Sequence, residues 1–75
     1  MQATITFPKS RIDEFEKTYW LQVKGKMRYG QAFFHFMDLG KVKNKADAAL
    51  CDKIYYVSED EAAKKFIADH TDYEN

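Results

Sequence analysis

The N-terminal segment of the chain alternates apolar and polar residues. Ala3, Ile5 and Phe7 are apolar and are separated by threonines. This two-residue period is typical of a strand with one buried face. Pro8 follows, and it has no amide hydrogen to donate to a strand ladder. The pattern therefore predicts a strand over residues 3–7 that ends at Pro8.

An apolar stripe at helical spacing comes next, made of Ile12, Phe15, Tyr19 and Val23. Ser10 precedes the stripe and is a good helix N-cap. Gly25 follows it and can end a helix in the left-handed conformation that other residues avoid. We therefore predict a first helix from Ser10 to Gly25. The alternative is a hairpin over residues 20–29 that turns at residues 24–25.

A second apolar stripe at helical spacing consists of Tyr29, Ala32, Phe33, Phe36 and Met37. It predicts a helix from Met27 to Leu39 with Gly40 as its stop. Gly30 lies inside this helix, where glycine costs about 1 kcal/mol relative to alanine. We expect close approach of another element at Gly30 to offset that cost.

The C-terminal half predicts three further elements after a basic loop over residues 40–45. Asn44 could cap a short helix over 45–51. Residues 53–57 are rich in β-branched and aromatic side chains, which indicates a second strand.

Ser58 and Glu61 have the spacing of a capping box, which predicts the start of a third helix. That helix ends near His70, and the polar residues 71–75 are expected to fray.

These elements predict one small α+β domain over residues 1–75. Its order is strand, helix, helix, short helix, strand, helix, so that two short strands pack with three to four helices. Two isolated strands are marginal in water. We therefore expect the strands to pair with each other and to lie against the helices.

Charge is balanced over the chain but not along it. The net charge is zero. Residues 1–45 hold nine Lys or Arg and four acids, whereas residues 46–75 hold three and eight. Such asymmetry can mark a nucleic-acid surface, although folding can also place the halves side by side so that their fields largely cancel. The candidate phosphate contacts, besides Lys24 and Arg28, are Lys26, Lys41, Lys43 and Lys45.

Candidate chemistry is sparse. Cys51 is the single cysteine, so neither an internal disulfide nor a cysteine metal cluster is expected. His35 and His70 are 35 residues apart, which is a poor signal for zinc. The N-terminus lacks a signal-peptide pattern, and no apolar stretch approaches the roughly 20 residues that span a membrane. We expect a cytoplasmic protein that is not an enzyme and holds no cofactor or metal.

One face of the second helix lies outside its apolar stripe and carries Lys24, Arg28, Gln31, Phe34 and His35. Arginine and aromatic side chains are the types that dominate protein interfaces. The alternatives to a protein partner are contact with phosphates and stacking on bases, or burial by a second copy of the chain in a homodimer. Alternatively, the core wraps around this helix and buries Phe34 and His35.

Two segments carry a family resemblance: Arg28–Phe34, read as Arg-Tyr-Gly-Gln-Ala-Phe-Phe, and the Tyr-rich, acidic segment Ile54–Ala62. They resemble small accessory proteins of tailed phages and prophages that carry an Arg-x-Gly-Gln-Ala-Phe motif, although that pattern has Asn where His35 stands. The resemblance implies no catalytic residues. It implies a protein of the bacterial cytoplasm that binds and inhibits or redirects a host or defence protein, such as CRISPR or restriction machinery.

Overall fold

Most of the chain is helical, and the sheet is reduced to two strands of two residues each. The computed structural model describes residues 4–73. In chain order the elements are β1 (Phe7–Pro8), α1 (Lys9–Lys17), α2 (Tyr19–Val23), α3 (Tyr29–Phe36), a 3-10 helix (Leu39–Lys41), α4 (Lys45–Tyr56), α5 (Asp60–Asp69) and β2 (Thr71–Asp72). The α+β class is confirmed in this mainly helical form. The predicted order is not, because the second strand follows the last helix.

The two strands join the ends of the described chain. They run parallel, with Phe7 opposite Thr71, and the Phe7 amide donates to the His70 carbonyl at 2.8 Å. The expected fraying is therefore wrong for residues 71–72, and residues 74–75 lie outside the described part.

The predicted strand over residues 3–7 is wrong except at Phe7. The amides of Thr4 and Ile5 donate instead to Asp47 Oδ1, at 2.6 and 3.0 Å. The Asp47 carboxylate is buried at the start of α4, so it draws this segment away from any ladder. Ala3 lies outside the described residues, and Pro8, predicted to follow the strand, is the second residue of β1.

The predicted strand over residues 53–57 is also wrong, because α4 continues through Tyr56. Leu50, Cys51 and Ile54 are all buried, and their three- and four-residue spacing places them on one helix face. Strand propensity reflects packing environment more than backbone preference, so burial of this face decides the conformation. The predicted Asn44 cap is confirmed, since its side chain accepts from the Asp47 amide at 3.1 Å.

The predicted first helix is divided at Thr18 into α1 and α2. The Thr18 backbone lies away from ideal helical geometry, at φ −119° and ψ −78°, and its hydroxyl donates to the Glu14 carbonyl at 2.6 Å. A threonine side chain that bonds the carbonyl four residues back often bends a helix. The Ser10 cap is wrong, because α1 already begins at Lys9, directly after Pro8.

Gly25 ends α2 with φ +90°, as predicted for a left-handed stop. The hairpin alternative over residues 20–29 is wrong, because the segments on both sides of this turn are helical.

Helix α3 is shorter than predicted. It begins at Tyr29, after Arg28 in extended conformation, and it ends at Phe36. Asp38 adopts the left-handed conformation with φ +56°, so the stop lies there and not at Gly40. Aspartate tolerates this conformation because its short polar side chain can bond locally.

The start of α5 is anchored to the start of α3. Glu59 precedes α5 without a capping side-chain hydrogen bond, so the predicted capping box of Ser58 and Glu61 is wrong. The Asp60 carboxylate instead accepts from the Tyr29 amide at 3.0 Å. One acid thus satisfies an orphan amide of a different helix.

The core is aromatic, and α3 runs through its centre. Phe15 and Phe33 are fully buried, and their rings meet edge to face with centroids 5.4 Å apart. Phe7 contacts Phe33 in the same geometry at 5.1 Å. At Gly30 a Cβ would lie 1.9 Å from the Ile54 carbonyl oxygen. The predicted close approach at Gly30 is therefore confirmed, and its partner is α4.

Tyr29 gives this core a pH dependence. Its hydroxyl donates to Glu16 Oε1 at 2.6 Å, and burial, followed by the Glu16 carboxylate, raises the pKa of Tyr29 far above its ordinary value. The unfolded chain releases the Tyr29 phenol proton at about pH 10, whereas the folded chain still retains the proton at that pH. We expect this contribution to stability to be intact below about pH 10. Above that pH it should fall, at up to about 1.4 kcal/mol per pH unit.

Urea unfolding between about pH 8 and pH 11 measures this slope, and Tyr29→Phe should remove it because phenylalanine has no proton to release. Tyr73→Phe is the matched control, since Tyr73 is exposed and should leave the slope unchanged. Equal alkaline slopes in the wild type and Tyr29→Phe would contradict the assignment.

Candidate functional site

A cleft lies where the turn between α2 and α3 meets the start of α5. Its volume is about 560 Å³. The residues that line it, here called the basic cleft, are Trp20, Lys24, Gly25, Lys26, Met27, Arg28, Gln31 and Asp60. The left-handed Gly25 reverses the chain between α2 and α3, which brings residues of both helices to the same wall.

The basic cleft holds three cations and one acid. Among residues 4–73, the ion pairs of the structure involve Lys9, Arg11, Lys41 and Lys64, and none involves Lys24, Lys26 or Arg28. Asp60 is the acid, and its carboxylate already accepts from the Tyr29 amide. The cleft therefore carries an excess of positive charge, and none of its three cations is paired with an acid among residues 4–73.

Arg28 connects the cleft to α4. It is half-buried, and its Nη2 donates to the Tyr55 carbonyl at 3.0 Å. This carbonyl belongs to the last turn of α4, where backbone acceptors have no partner inside the helix. The Arg28 Nε is buried and has no acceptor among the described residues. The guanidinium is therefore held in place while much of its donor capacity stays unused.

Four rings form a second feature beside the cleft, here called the aromatic surface: Phe34, His35, Tyr55 and Tyr56. Tyr55 is its centre, with ring centroids 4.9 Å from Phe34, 5.9 Å from His35 and 4.8 Å from Tyr56. His35 is exposed, and Tyr56 is 73% exposed. An aromatic cluster with its outermost ring in solvent offers apolar area that remains to be buried.

The predicted partner-binding residues are divided between these two features. Lys24, Arg28 and Gln31 line the basic cleft. Phe34 and His35 belong to the aromatic surface, where Phe34 is half-buried against Tyr55 and His35 faces solvent. The features adjoin, because α3 carries residues of both and Arg28 bonds the Tyr55 backbone.

The lysines proposed for nucleic-acid binding do not come together in one site. Lys26 lines the basic cleft, whereas Lys41, Lys43 and Lys45 do not. Those three are exposed in the segment that leads from the 3-10 helix into α4, and Lys41 pairs with Asp38 at 2.9 Å.

Sequence reasoning missed Trp20 and Met27 in the cleft and Tyr55 and Tyr56 on the aromatic surface. The two tyrosines were assigned to a strand that does not form. The spacing of Leu50, Cys51 and Ile54 was the signal that could have extended the helix to include them. Trp20 carried no comparable signal, because it reaches the cleft only through the break at Thr18 and the turn at residues 24–27.

Cys51 and His70 do not line the basic cleft. Cys51 is 1% exposed, and burial, with smaller effects of Asp47 and Asp52, raises the pKa of its thiol. The thiolate is the nucleophilic form of cysteine, so this site disfavours it. His70 is half-buried at the end of α5.

A smaller cavity, with a volume of about 200 Å³, lies between α1 and α5 and is lined in part by Tyr29 and Lys64.

No helix among residues 4–73 has both the length and the apolar character needed to cross a membrane. In comparisons with known proteins, no family model, no curated protein and no solved structure matches this chain.

Proposed function

We propose that this chain is a protein-binding module that docks on its partner through the aromatic surface. The observation that carries the proposal is the exposure of Tyr56 at the edge of the ring cluster around Tyr55. Tyrosine is among the residues that contribute most to interface energy, because it combines a large apolar ring with a hydrogen-bonding hydroxyl.

The surroundings of the cluster also support an interface. The Arg28 guanidinium donates to the Tyr55 carbonyl, and Lys24 and Lys26 of the basic cleft lie in the turn before α3. Central aromatics and arginine beside a polar, charged margin is the usual anatomy of a protein interface. An enzyme site is less well supported, since the thiol of Cys51, the single cysteine, is buried.

We further propose that the partner is a bacterial host or defence protein, such as CRISPR or restriction machinery, which the chain inhibits or redirects. The Arg-Tyr-Gly-Gln-Ala-Phe motif and the segment Ile54–Ala62 support this class of partner through their resemblance to phage accessory proteins. The segments Arg28–Phe34 and Ile54–Ala62 contain Phe34, Tyr55 and Tyr56, three of the four rings of the aromatic surface. His35, the fourth ring, lies outside them.

Capture experiments with the Tyr56→Ala variant test this function. Tagged chain is incubated with nuclease-treated bacterial lysate, and bound proteins are quantified by mass spectrometry. We expect the wild type to retain one host protein stoichiometrically and Tyr56→Ala to retain at least about tenfold less, because truncation of an interface hot spot costs about 2 kcal/mol or more. Circular dichroism should be unchanged, since Tyr56 is largely exposed.

Tyr73→Ala is the matched control. Tyr73 is also exposed, at 57%, but it lines the smaller cavity beside α1 and α5. The Tyr73→Ala variant should capture the same amount of partner protein as the wild type. Equal capture by Tyr56→Ala, or loss of every captured protein on nuclease treatment, would contradict the proposal.

A further inference from the structure

We propose that the basic cleft binds an acidic segment of the partner protein, in which carboxylates flank an apolar side chain. This inference rests on the proposed protein-binding function, and it names the chemistry of the second contact region. The cleft adjoins the aromatic surface through Arg28, so one partner can engage both.

Charge complementarity is the first argument. Lys24, Lys26 and Arg28 line the cleft together, and none of the three has an ion-pair partner among the described residues. Lys24 and Lys26 are exposed, so their ammonium groups remain hydrated and can exchange water for carboxylates. Positive charge lining a concave wall raises the local concentration of anions.

The guanidinium of Arg28 is the second argument. One of its Nη groups is fixed by the Tyr55 carbonyl at 3.0 Å, so little side-chain freedom remains to be lost on binding. The Arg28 Nε is buried, so a carboxylate would accept hydrogen bonds from the Nη groups at the end of the guanidinium. A fixed arginine with unused donors is a prepared site for a carboxylate.

The uncharged walls indicate the rest of the ligand. Trp20 and Met27 supply apolar area, and Gln31 supplies an amide, which can both donate and accept hydrogen bonds. Trp20 and Met27 are only half-buried. An apolar side chain placed between two acids would cover these residues while its neighbours meet the cations.

A peptide fits the cleft better than a nucleic-acid backbone. Phosphate chains need a track of cations, but Lys41, Lys43 and Lys45 do not line the cleft. Asp60 in the cleft wall would repel a closely spaced row of phosphates, and the net charge of the chain is zero. A peptide can place its fewer carboxylates away from Asp60.

Trp20 provides the measurement, because it is the only tryptophan in the sequence and lines the cleft. Its fluorescence is titrated in the full chain with the tryptophan-free peptide acetyl-Glu-Glu-Leu-Phe-Glu-Asp-amide. The comparison probes are the same peptide with Gln and Asn for the acids, and a thymidine oligonucleotide. We expect saturable change with the acidic peptide and affinity at least about tenfold lower for the uncharged one.

Two double variants with the same change of charge complete the test. The Lys24→Glu, Lys26→Glu variant should bind the acidic peptide with at least about tenfold lower affinity than the wild type. The Lys43→Glu, Lys45→Glu variant should bind it with unchanged affinity. The inference is overturned by equal affinity for the two peptides, by no response up to about 1 mM, or by tighter binding of the oligonucleotide, which would identify a nucleic-acid site.

Partner capture separates this inference from the proposed function. The Lys24→Glu, Lys26→Glu variant should capture the partner at least about tenfold less than the Lys43→Glu, Lys45→Glu control. Full capture by the first variant, with loss in Tyr56→Ala, would overturn the acidic-segment inference and leave protein binding through the aromatic surface standing. Full capture by Tyr56→Ala overturns the proposed function whatever the peptide titration shows.

Discussion

Gly30→Ala is expected to destabilise the protein by about 3 kcal/mol, the upper end of the usual cost of overpacking, although the same change would stabilise an isolated helix. Alanine is favoured over glycine in a helix by about 1 kcal/mol. At this position, however, the new Cβ would lie 1.9 Å from the Ile54 carbonyl oxygen and 3.1 Å from the Ala63 Cβ. Helix α3 must therefore move away from α4, and the whole contact between the two helices must loosen.

The clash cannot be relieved locally. The atom that the methyl group would meet is the Ile54 carbonyl oxygen, which belongs to the backbone of α4, so no flexible side chain can move aside to make room. A domain of this length has a total stability of about 4–11 kcal/mol. Gly30→Ala should consequently remove a large part of it, which chemical denaturation followed by circular dichroism would measure.

Gly40→Ala is the matched control for this variant. A Cβ at Gly40 would meet only the Phe34 ring at 3.7 Å, which is an ordinary contact. Stability should change by less than about 1 kcal/mol, as for most substitutions that create neither clash nor cavity. If Gly30→Ala proved as stable as Gly40→Ala, the close packing of α3 on α4 would be contradicted.

Phe15→Ala is expected to cost about 3–5 kcal/mol, the usual range for a phenylalanine removed from a core. Phe15 is fully buried, and its ring contacts those of Tyr29, Phe33 and Phe36 at centroid distances of 5.2 to 5.4 Å. Alanine would leave a cavity bounded by rings on α3. Rigid rings cannot collapse into such a space as flexible side chains can, so the upper part of the range applies.

Thermal and urea unfolding of Phe15→Ala measure this effect, with Phe66→Ala as the comparison. Phe66 is also a phenylalanine on a helix, but it is only half-buried, so its loss should cost clearly less. Phe15→Leu should fall between wild type and Phe15→Ala, because it refills most of the volume but loses the edge-to-face ring contacts. Equal costs for Phe15→Ala and Phe66→Ala would contradict the central place of Phe15 in the core.

Local patterns predicted those features that depend on a few neighbouring residues. The Asn44 cap and the left-handed Gly25 were both found where the sequence placed them, because each depends on the chemistry of one side chain. The stripe on α3 was right for the same reason: Tyr29, Ala32 and Phe33 are buried together. Even the tight packing at Gly30 could be inferred, since an internal helix glycine needs a compensating contact.

Long-range contacts explain the elements that were predicted wrongly. The N-terminal alternation did not form a strand beyond Phe7, because Asp47, more than forty residues away in the chain, takes the amides of Thr4 and Ile5. The partner of β1 is Thr71–Asp72, a polar segment with no strand pattern of its own. Such pairings are invisible to local periodicity.

The candidate site also combines features that local patterns predict with features that depend on long-range contacts. Local patterns were enough to predict the apolar stripe of α3, the residue types on its other side, and the helix stop at Gly25. The position of Tyr55 and Tyr56 at the end of a helix beside Phe34, and of Trp20 among the cations of the cleft, depends on packing between distant segments. Helix faces follow from spacing along one segment, whereas a surface built from several segments exists only after packing has brought them together.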